Sequence, residues 1–579
     1  MAANLYDLWV ASNFMARNYW LVLTTGISPF FITLFAHAQT QPPTGIQLPK
    51  ETRDRVEQTI PTPTVQPLPI STPPQKLELP PLSAPIKTNP IPTVKIQIKS
   101  LQVIGNTILR SEINKLIAPY VNQSKTFDEL LELRSQITQL YIDNGYLSSG
   151  AFIPNNQELS KGDITIQIIE GELEKIEITG LTRLREGYIR KRLELGASTP
   201  LNKSNLERSL QLIQIDPLIA QVNAELGAGS TPGRNILRLI IKEAPAFHAG
   251  ISLENNQSSS VGSLQGGIFV NHDNLLGLGD RLSLEYGRTE GLNVYSGSYS
   301  LPLNSKNGTL NLRYSTNNSK IIEAPFQDLG IRSDSQTFSI GIRQPLMRSI
   351  ENEFAIGLNL DLRRSRTYLL NDIPFSFSEG PKDGVSKVTA IRFFQDWVDR
   401  NSSRVLAARS QFSLGINAFD ATINSGNIPD GQFLSWLGQF QWVQPISPRV
   451  VLLSRLAGQF SFNPLLSLER FSLGGADTVR GYRQNQVVSD NGILGGFELQ
   501  IPLTRNPEIL QLRPFFDWGY GWNRSGANPD PQFIASLGLG IRSRLPMGIE
   551  TILQYGIPLV HDNQIEGQRF QFALRYQLF

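Results

Sequence analysis

The segment FAIGLNLDLRR, Phe354 to Arg364, alternates apolar and polar residues with a period of two. Such alternation is typical of a β-strand with one apolar and one polar face. The pattern continues through residues 247–579, where helical periodicity is absent. At ~10 residues for each membrane-crossing strand, sixteen strands and their connections fit this length. The sixteen candidate strands begin near Phe247, Gly262, Asp280, Leu292, Thr309, Ser335, Phe354, Ser386, Arg404, Gln432, Arg449, Gly492, Gln511, Gln532, Gly548 and Gln568.

Two architectures are built from strands of this kind. A soluble sandwich or propeller buries the apolar faces, whereas a transmembrane barrel turns them to lipid and lines its lumen with polar residues. Only closure into a barrel satisfies every backbone polar group within hydrocarbon. Charged residues on the presumed inner face, such as Asp361 and Arg363, and the even strand number favour the barrel. The sequence therefore predicts a membrane β-barrel of 16 antiparallel strands over residues 247–579, although Phe579 falls out of step with the last alternating segment.

The composition excludes several classes of function. The chain has 579 residues, 18% of them charged, and a formal net charge of +3, without the basic excess of a nucleic-acid-binding domain. Cysteine is absent, so disulfides, thiolate metal sites and cysteine nucleophiles are excluded. The four histidines occur singly, and no H-E-x-x-H, G-x-S-x-G or G-x-x-x-x-G-K-[ST] motif is present. We expect no catalytic residues, metal, cofactor or small-molecule substrate, and a barrel enzyme is only a distant alternative.

The N-terminal residues predict export and a linker. Arg17 precedes the apolar run Tyr19–Phe35, and AHA at residues 36–38 is a small-x-small cleavage site. Residues 1–38 are therefore predicted to be a signal peptide, with a membrane anchor as the alternative. Residues 39–94 are dense in proline and are predicted to form an extended linker. Within this linker, the proline-free residues 50–58 could form a short helix or a solvated turn.

Two related units lie between the linker and the barrel. Over residues 95–172 the patterns predict a strand, two amphipathic helices and two further strands, and the same order returns over residues 173–246. Internal similarity at a spacing of roughly 75 residues indicates one supersecondary unit used twice. Each unit has its own apolar face, so each is predicted to fold as a small α+β domain with the order β-α-α-β-β.

Six further motifs occur in a fixed order along the chain. They are LQVIGN (Leu101–Asn106), GYLSSGAFIPNNQELSKGDITIQIIEGELEKIEITG (Gly145–Gly180), NLLGLGDRLSLEYG (Asn274–Gly287), YSGSYSLPL (Tyr295–Leu303), VRGY (Val479–Tyr482) and LRPFFDWGYGW (Leu512–Trp522). With these motifs the sequence resembles the outer-membrane transporters of two-partner secretion, the ShlB/FhaC/HecB haemolysin secretion and activation type, within the superfamily of outer-membrane assembly barrels. The resemblance implies that the two α+β units are polypeptide-transport-associated (POTRA) domains in the periplasm of a Gram-negative-type bacterium. It implies that the barrel lies in outer-membrane lipid.

The resemblance also implies a specific role for the VRGY motif. It places the motif on a loop over residues 473–490, between strands eleven and twelve, that folds back into the lumen instead of lying outside. Arg480 is then expected to contact Asp517 on the inner wall, because a guanidinium can grip a carboxylate with two parallel hydrogen bonds. The other residues expected to matter are Val479, Gly481 and Tyr482 of the motif, Gly474 and Gly475 at the loop turn, and Asn274, Gly277, Gly279 and Asp280 of the barrel motif.

The function that the resemblance implies is protein translocation. The POTRA domains would bind an unfolded secreted partner protein, and the barrel, expected to be a monomer, would pass it outward without nucleotide hydrolysis. Strand addition to a free sheet edge is the expected mode of capture. The candidate edges in the second unit are the strand of Val222, Ala224 and Leu226 or the strand of Arg238 and Ile240, unless these strands only complete the core. A factor that inserts other outer-membrane proteins is the alternative within the same superfamily.

Overall fold

The structure, a computed structural model, describes residues 95–155, 157–560 and 567–578. The predicted signal peptide, the linker with residues 50–58, and Phe579 lie outside these residues. The described chain forms two compact units, an α+β region that ends at Pro245 and a barrel that begins at Ala246, with residues 277–279 grouped with the α+β region. None of the helices among the described residues is long and apolar enough to cross a membrane.

The first α+β unit packs two helices against a three-stranded sheet. Its elements are β1 (Lys95–Gln97), β2 (Ser100–Ile104), α1 (Arg110–Ile117), β3 (Ser124–Thr126), α2 (Phe127–Asp143), β4 (Gly150–Phe152) and β5 (Asp163–Ile169). The sheet has the order β2-β5-β4, with β2 parallel and β4 antiparallel to β5. The single N-terminal strand that the sequence predicts is two strands, because β1 pairs with β3 outside this sheet. Helix α2 begins at a capping box of Thr126 and Glu129, which satisfies backbone N–H groups of its first turn.

The second α+β unit repeats this arrangement. Its elements are β6 (Glu172–Thr179), α3 (Glu186–Glu194), α4 (Lys203–Gln214), β7 (Ile219–Ala228) and β8 (Arg234–Glu243). The sheet has the order β6-β8-β7, again with the first strand parallel and the second antiparallel to the last. Helix α4 begins after Asn202, whose side-chain oxygen accepts a hydrogen bond from the Ser204 N–H. Apolar residues spaced three or four apart on both helices, such as Leu206 and Leu210, are buried against the sheet.

A glutamate at the end of the last strand of each unit binds the segment that precedes the first helix. Glu170 accepts hydrogen bonds from the Thr107 N–H at 2.8 Å and from the Thr107 hydroxyl at 2.5 Å. Glu243 accepts from the N–H groups of Thr182 at 2.7 Å and Leu184 at 2.9 Å. Burial would raise the pKa of Glu243, but these bonds lower that pKa to about 2. The two units therefore share a local stabilising contact as well as an element order.

The barrel is closed by sixteen antiparallel strands, so the predicted strand number and sense are confirmed. The last strand closes the barrel against the first through pairs such as Gln577 with Gly250. The sixteen strands are β9 (Phe247–Glu254), β10 (Gln265–Asp273), β11 (Arg281–Arg288), β12 (Leu292–Pro302), β13 (Thr309–Lys320), β14 (Arg332–Arg348), β15 (Asn352–Leu369), β17 (Val385–Arg400), β18 (Val405–Gly415), β19 (Leu434–Pro445), β20 (Val451–Ser461), β23 (Asn491–Pro502), β24 (Leu510–Trp522), β25 (Phe533–Leu545), β26 (Ile549–Pro558) and β27 (Phe570–Gln577). Three short strands lie in the connections: β16 (Ile373–Pro374), β21 (Phe471–Leu473) and β22 (Val487–Ser489).

The two faces of the barrel wall have opposite chemistry. Large apolar side chains on the outer face are exposed in alternation, for example Leu537, Leu539 and Ile541 on β25. The inward positions carry buried charged residues such as Arg392 and Asp517. This is the distribution that a barrel in lipid requires, since only the outer face meets hydrocarbon.

Candidate functional site

The connection between β20 and β23, residues 462–490, folds back into the barrel, and we refer to it as the inward loop. It carries the short antiparallel hairpin of β21 and β22, and every residue of both strands is buried. Its side chains contact inward residues on strands that are far apart in the barrel order, including β15, β17 and β24. The buried part begins at Leu465, earlier than the predicted start at residue 473.

Arg480, at the tip of the inward loop, is held on the wall by β23, β24 and β26. Its guanidinium donates two hydrogen bonds to the Asp517 carboxylate, from Nε at 2.6 Å and from Nη2 at 3.0 Å. Nη1 donates to Glu498 at 2.7 Å and to the Gln554 side chain at 3.0 Å. The guanidinium carbon also lies 3.5 Å from the centre of the Phe515 ring, a stacking geometry that favours a cation. We refer to these contacts as the Arg480 anchor.

Two wall arginines also bind the carboxylates of the Arg480 anchor. Arg455 on β20 donates to Asp517 at 3.0 Å and to the backbone carbonyls of Asp477 and Thr478. Arg513 on β24 lies 3.3 Å from Glu498. Each carboxylate of the anchor therefore has a second cationic partner on the wall. This matters because a buried charge is strongly destabilising when it is left without a partner.

Gly481 and Tyr482 hold the loop tip close to β25 and β26. Gly481 has φ +91°, and a Cβ built on it would lie 2.8 Å from the Gly556 carbonyl on β26. A Cβ built on Gly567, just before β27, would lie 2.7 Å from the Gly481 carbonyl oxygen. The Tyr482 hydroxyl donates toward the carbonyls of Ala535 and Val560, at 2.9 and 3.0 Å. The tip thus binds the wall through backbone groups as well as through charge.

The remaining predicted loop residues lie within the same buried hairpin. Val479 is fully buried in an apolar cluster with Phe471 and Leu473. Gly474 and Gly475 have φ +101° and +102°, and side chains at these positions would meet the returning segment of the hairpin.

The predicted barrel motif forms the turn between β10 and β11. Asn274 has φ +85°, and its N–H donates to the Asp280 carbonyl at 2.5 Å. The Asp280 carboxylate is fully buried and accepts from the Leu276 N–H at 2.9 Å and from the Tyr299 hydroxyl at 2.9 Å. Gly277 and Gly279 of the same turn have φ +79° and +78°. The motif is therefore a tight turn fixed by Asp280, and the structure does not bring it together with the Arg480 anchor.

One of the two predicted capture edges is wrong. Arg238 and Ile240 lie on β8, the central strand of its sheet, and both edges of β8 are already paired, with β6 and with β7. The other candidate, β7, is an outer strand of the sheet, as is β6. The side chains of Val222 and Leu226 on β7 are buried in the domain core, with Ala224 packed against it, so only the backbone of this strand is open to strand addition.

The sequence did not predict Glu498, Phe515 and Gln554 of the Arg480 anchor, or Arg455 beside it. The alternating pattern places each of them on the inner face, so a search for inward charged residues would have identified Arg455 and Glu498 as lumen-lining. Their contact with the loop tip depends on the stagger of the strands and on the path of the loop. Neither the stagger nor the path can be predicted from the alternation of residues along one strand.

Comparison with known proteins places this architecture in a family. Residues 233–543 match the family described as haemolysin secretion/activation protein ShlB/FhaC/HecB, and residues 96–171 match the POTRA domain of ShlB type. The chain is 26% identical to the outer membrane transporter CdiB of Escherichia coli, over 83% of both chains. It is 20% identical to the heme/hemopexin transporter protein HuxB of Haemophilus influenzae strain Rd, over 74% of this chain and 76% of that protein.

The fold agrees with the family. The solved structure of CdiB from Escherichia coli superposes with a TM-score of 0.63 at 24% identity, over 86% of this chain and 92% of that chain. The family consists of transporters, which confirms the expectation that the chain is not an enzyme. Because the family match spans more than half of the sequence, the chain belongs to the haemolysin secretion/activation protein ShlB/FhaC/HecB family of outer-membrane transporters with a periplasmic POTRA region.

Proposed function

We propose that this chain, acting as a monomer, carries an unfolded secreted partner protein through the barrel and that the Arg480 anchor is released during passage. The observation that carries the proposal is the burial of Arg480 between Asp517 and Glu498. With the inward loop docked, its buried hairpin occupies the lumen, so a polypeptide needs the tip to leave the wall. The names of the relatives CdiB and HuxB, both transporters, support the same function.

Both α+β units act in this proposal as POTRA domains. The first is matched to the ShlB-type POTRA domain over residues 96–171. The second has the same strand order and the same glutamate contact at Glu243 as the first has at Glu170. We place the units at residues 95–172 and 173–246, after a signal peptide and a proline-rich linker.

The second unit captures the partner through β7. An outer strand offers unpaired N–H and C=O groups that an extended polypeptide can satisfy. β7 is ten residues long, and about every second residue directs these groups away from β8. Its inward side chains are already used in the core, so recognition by this edge depends on backbone pairing and on the exposed positions, such as Asn223 and Glu225. Backbone pairing accepts many sequences, as the capture of an unfolded chain requires.

In this proposal, movement through the barrel takes place without nucleotide hydrolysis, in keeping with a sequence that has no G-x-x-x-x-G-K-[ST] motif. Folding of the partner protein after it emerges makes export one-way, since a folded domain cannot return through the lumen. A partner variant whose folding is arrested is expected to leave the barrel more slowly. An unchanged exit rate would contradict this source of direction.

Co-expression tests the proposed function most directly. The transporter is expressed with an exported protein that is encoded by a neighbouring gene, and the appearance of that protein outside the cell is measured. Export that depends on the transporter supports the proposal. If the protein stays in the periplasm beside a correctly folded barrel, or if loss of the transporter instead lowers the amounts of other outer-membrane barrels, an assembly function is favoured.

A further inference from the structure

A second buried charge cluster binds the inward loop at its base, away from Arg480. The Glu469 carboxylate accepts hydrogen bonds from Arg363 Nη1 at 3.0 Å and from Arg392 Nη2 at 2.8 Å. Arg392 is also bound by Asp361 through Nε at 2.5 Å, so the cluster holds two cations and two anions. The Glu469 side chain is 5% exposed and that of Arg392 is 10% exposed. These contacts form the Glu469 anchor.

The two anchors use different parts of the barrel wall. Arg363 and Arg392 lie on β15 and β17, whereas Asp517 and Glu498 lie on β24 and β23. Three full strands, β18, β19 and β20, separate β17 from β23 in the barrel order. The loop is therefore fixed at two separate positions around the lumen.

The apolar contacts of the loop divide in the same way. Leu465, Leu466 and Leu468 at the base pack with Val388 and Ala390 of β17. The hairpin residues from Phe471 to Val487 belong to another cluster, which includes wall residues of β20, β23 and β25. The wall residues that bind Glu469 are not those that bind Arg480, and the base and the hairpin pack in different apolar clusters. The base is also bound to Asp490, just after β22, through the Leu465 N–H at 3.0 Å and through Arg470 at 3.3 Å. The tip can therefore leave the wall while the contacts of the base stay in place.

We infer that Glu469 is a positioning residue for transport: it keeps residues 465–470 on the wall when the Arg480 anchor releases the hairpin. The inference rests on the proposed release of the Arg480 anchor. A held base keeps the hairpin near its docking site, so that redocking is an intramolecular event with a high effective concentration. The barrel can then close again after each partner protein has passed.

Cysteine accessibility separates the two anchors, because the chain has no cysteine of its own. Ser467→Cys reports on the base and Thr478→Cys on the tip, and both positions are buried in the docked loop. In the full-length protein in outer membranes, Glu469→Gln is expected to speed the reaction of a soluble maleimide with Ser467→Cys by about tenfold or more, a change that ~1.4 kcal/mol produces. The reaction at Thr478→Cys is expected to stay slow. Arg480→Ala is expected to give the opposite pattern.

Glu353→Gln is the matched control. Glu353 is also a buried lumen carboxylate between two arginines, Arg343 at 2.6 Å and Arg348 at 3.4 Å, but all three belong to the wall. It is expected to leave both reporters slow. Arg363→Gln weakens the same anchor from the wall side, leaving Arg392 bound to Glu469, and replaces Glu469→Gln if that variant does not give the heat-modifiable mobility of a folded barrel.

The outcomes distinguish this inference from the proposed function. If Ser467→Cys stays protected in both anchor variants, or if both reporters become reactive together, Glu469 does not hold the base separately and the inference is overturned. If Thr478→Cys stays protected in Arg480→Ala, the proposal that the Arg480 anchor releases the tip is wrong, whatever the result at Ser467→Cys.

Discussion

Replacement of Arg480 by alanine tests the charge contacts that fix the inward loop. The substitution removes three hydrogen bonds to carboxylates, one to Gln554 and the stacking on Phe515. Removing one partner of a buried ion pair typically costs ~3 to 5 kcal/mol. Here Asp517 keeps Arg455 and Glu498 keeps Arg513, so neither carboxylate is left without a cation. We therefore expect the lower end, about 3 kcal/mol, which weakens docking of the loop by about 100-fold.

The assay combines secretion with a measurement of the resting channel. Arg480→Ala is expected to reduce export of the partner protein and to increase the resting conductance in planar bilayers, while heat-modifiable mobility shows that the barrel still folds. Arg542→Ala is the control, because Arg542 is also a wall arginine paired with a carboxylate, Glu550, but its pair does not involve the loop. Wild-type secretion and conductance in Arg480→Ala would refute the proposed anchor. Equal losses in both variants would show that any missing wall charge has this effect.

Three further predictions follow from other contacts. Gly556→Ala is expected to weaken docking of the tip by about 1 to 3 kcal/mol and so to raise the resting conductance, because the added Cβ would lie 2.7 Å from backbone atoms of Gly481. The control Gly540→Ala is expected to have little effect, because the nearest atom to its added Cβ is 3.4 Å away. The pKa of Glu243 is lowered from 4.5 to about 2, so its stabilisation of the folded unit, about 3 kcal/mol, is present above pH 4.5 and is lost as the pH falls toward 2. Hydrogen exchange of residues 182–184, corrected for intrinsic rates, is expected to show this loss in the wild type and not in Glu243→Gln. Asn223→Cys on β7 is expected to crosslink to a partner protein arrested during export, whereas Lys175→Cys on β6 is not, and the reverse result would move the capture site to β6.

The barrel could be predicted from sequence because lipid imposes a strict pattern on every strand. Residues such as Leu537, Leu539 and Ile541 must be apolar where they face hydrocarbon, and so a single strand already shows which of its faces is outside. Strand order within a mixed sheet has no comparable signal. Ile240 and Arg238 lie on a strand whose alternation is as regular as that of an outer strand, and only the pairing of β8 on both sides excludes it as an edge.

The candidate site could be predicted only in part, for a related reason. The pairing of Arg480 with Asp517 was implied by the family resemblance and not by any periodicity. The roles of Glu498 and Glu469 depend on which inward positions lie opposite the folded loop. That geometry results from the stagger of sixteen strands together, and residues distant in sequence, such as Arg392 and Glu469, are brought into contact by it.

The use of charge at the tip of the loop is consistent with an attachment that must be reversible. Burying an ion pair costs nearly as much in lost hydration as it gains in attraction, so an intact pair that separates into a water-filled lumen regains its hydration at a modest net cost. Deleting one member of the pair is different, since the other charge then stays on the wall with fewer partners. Substitution of Arg480 is therefore expected to have a large effect even though its anchor can open during transport. An anchor made only of apolar contacts would behave in the opposite way, because releasing it would expose the whole apolar area of the loop to water.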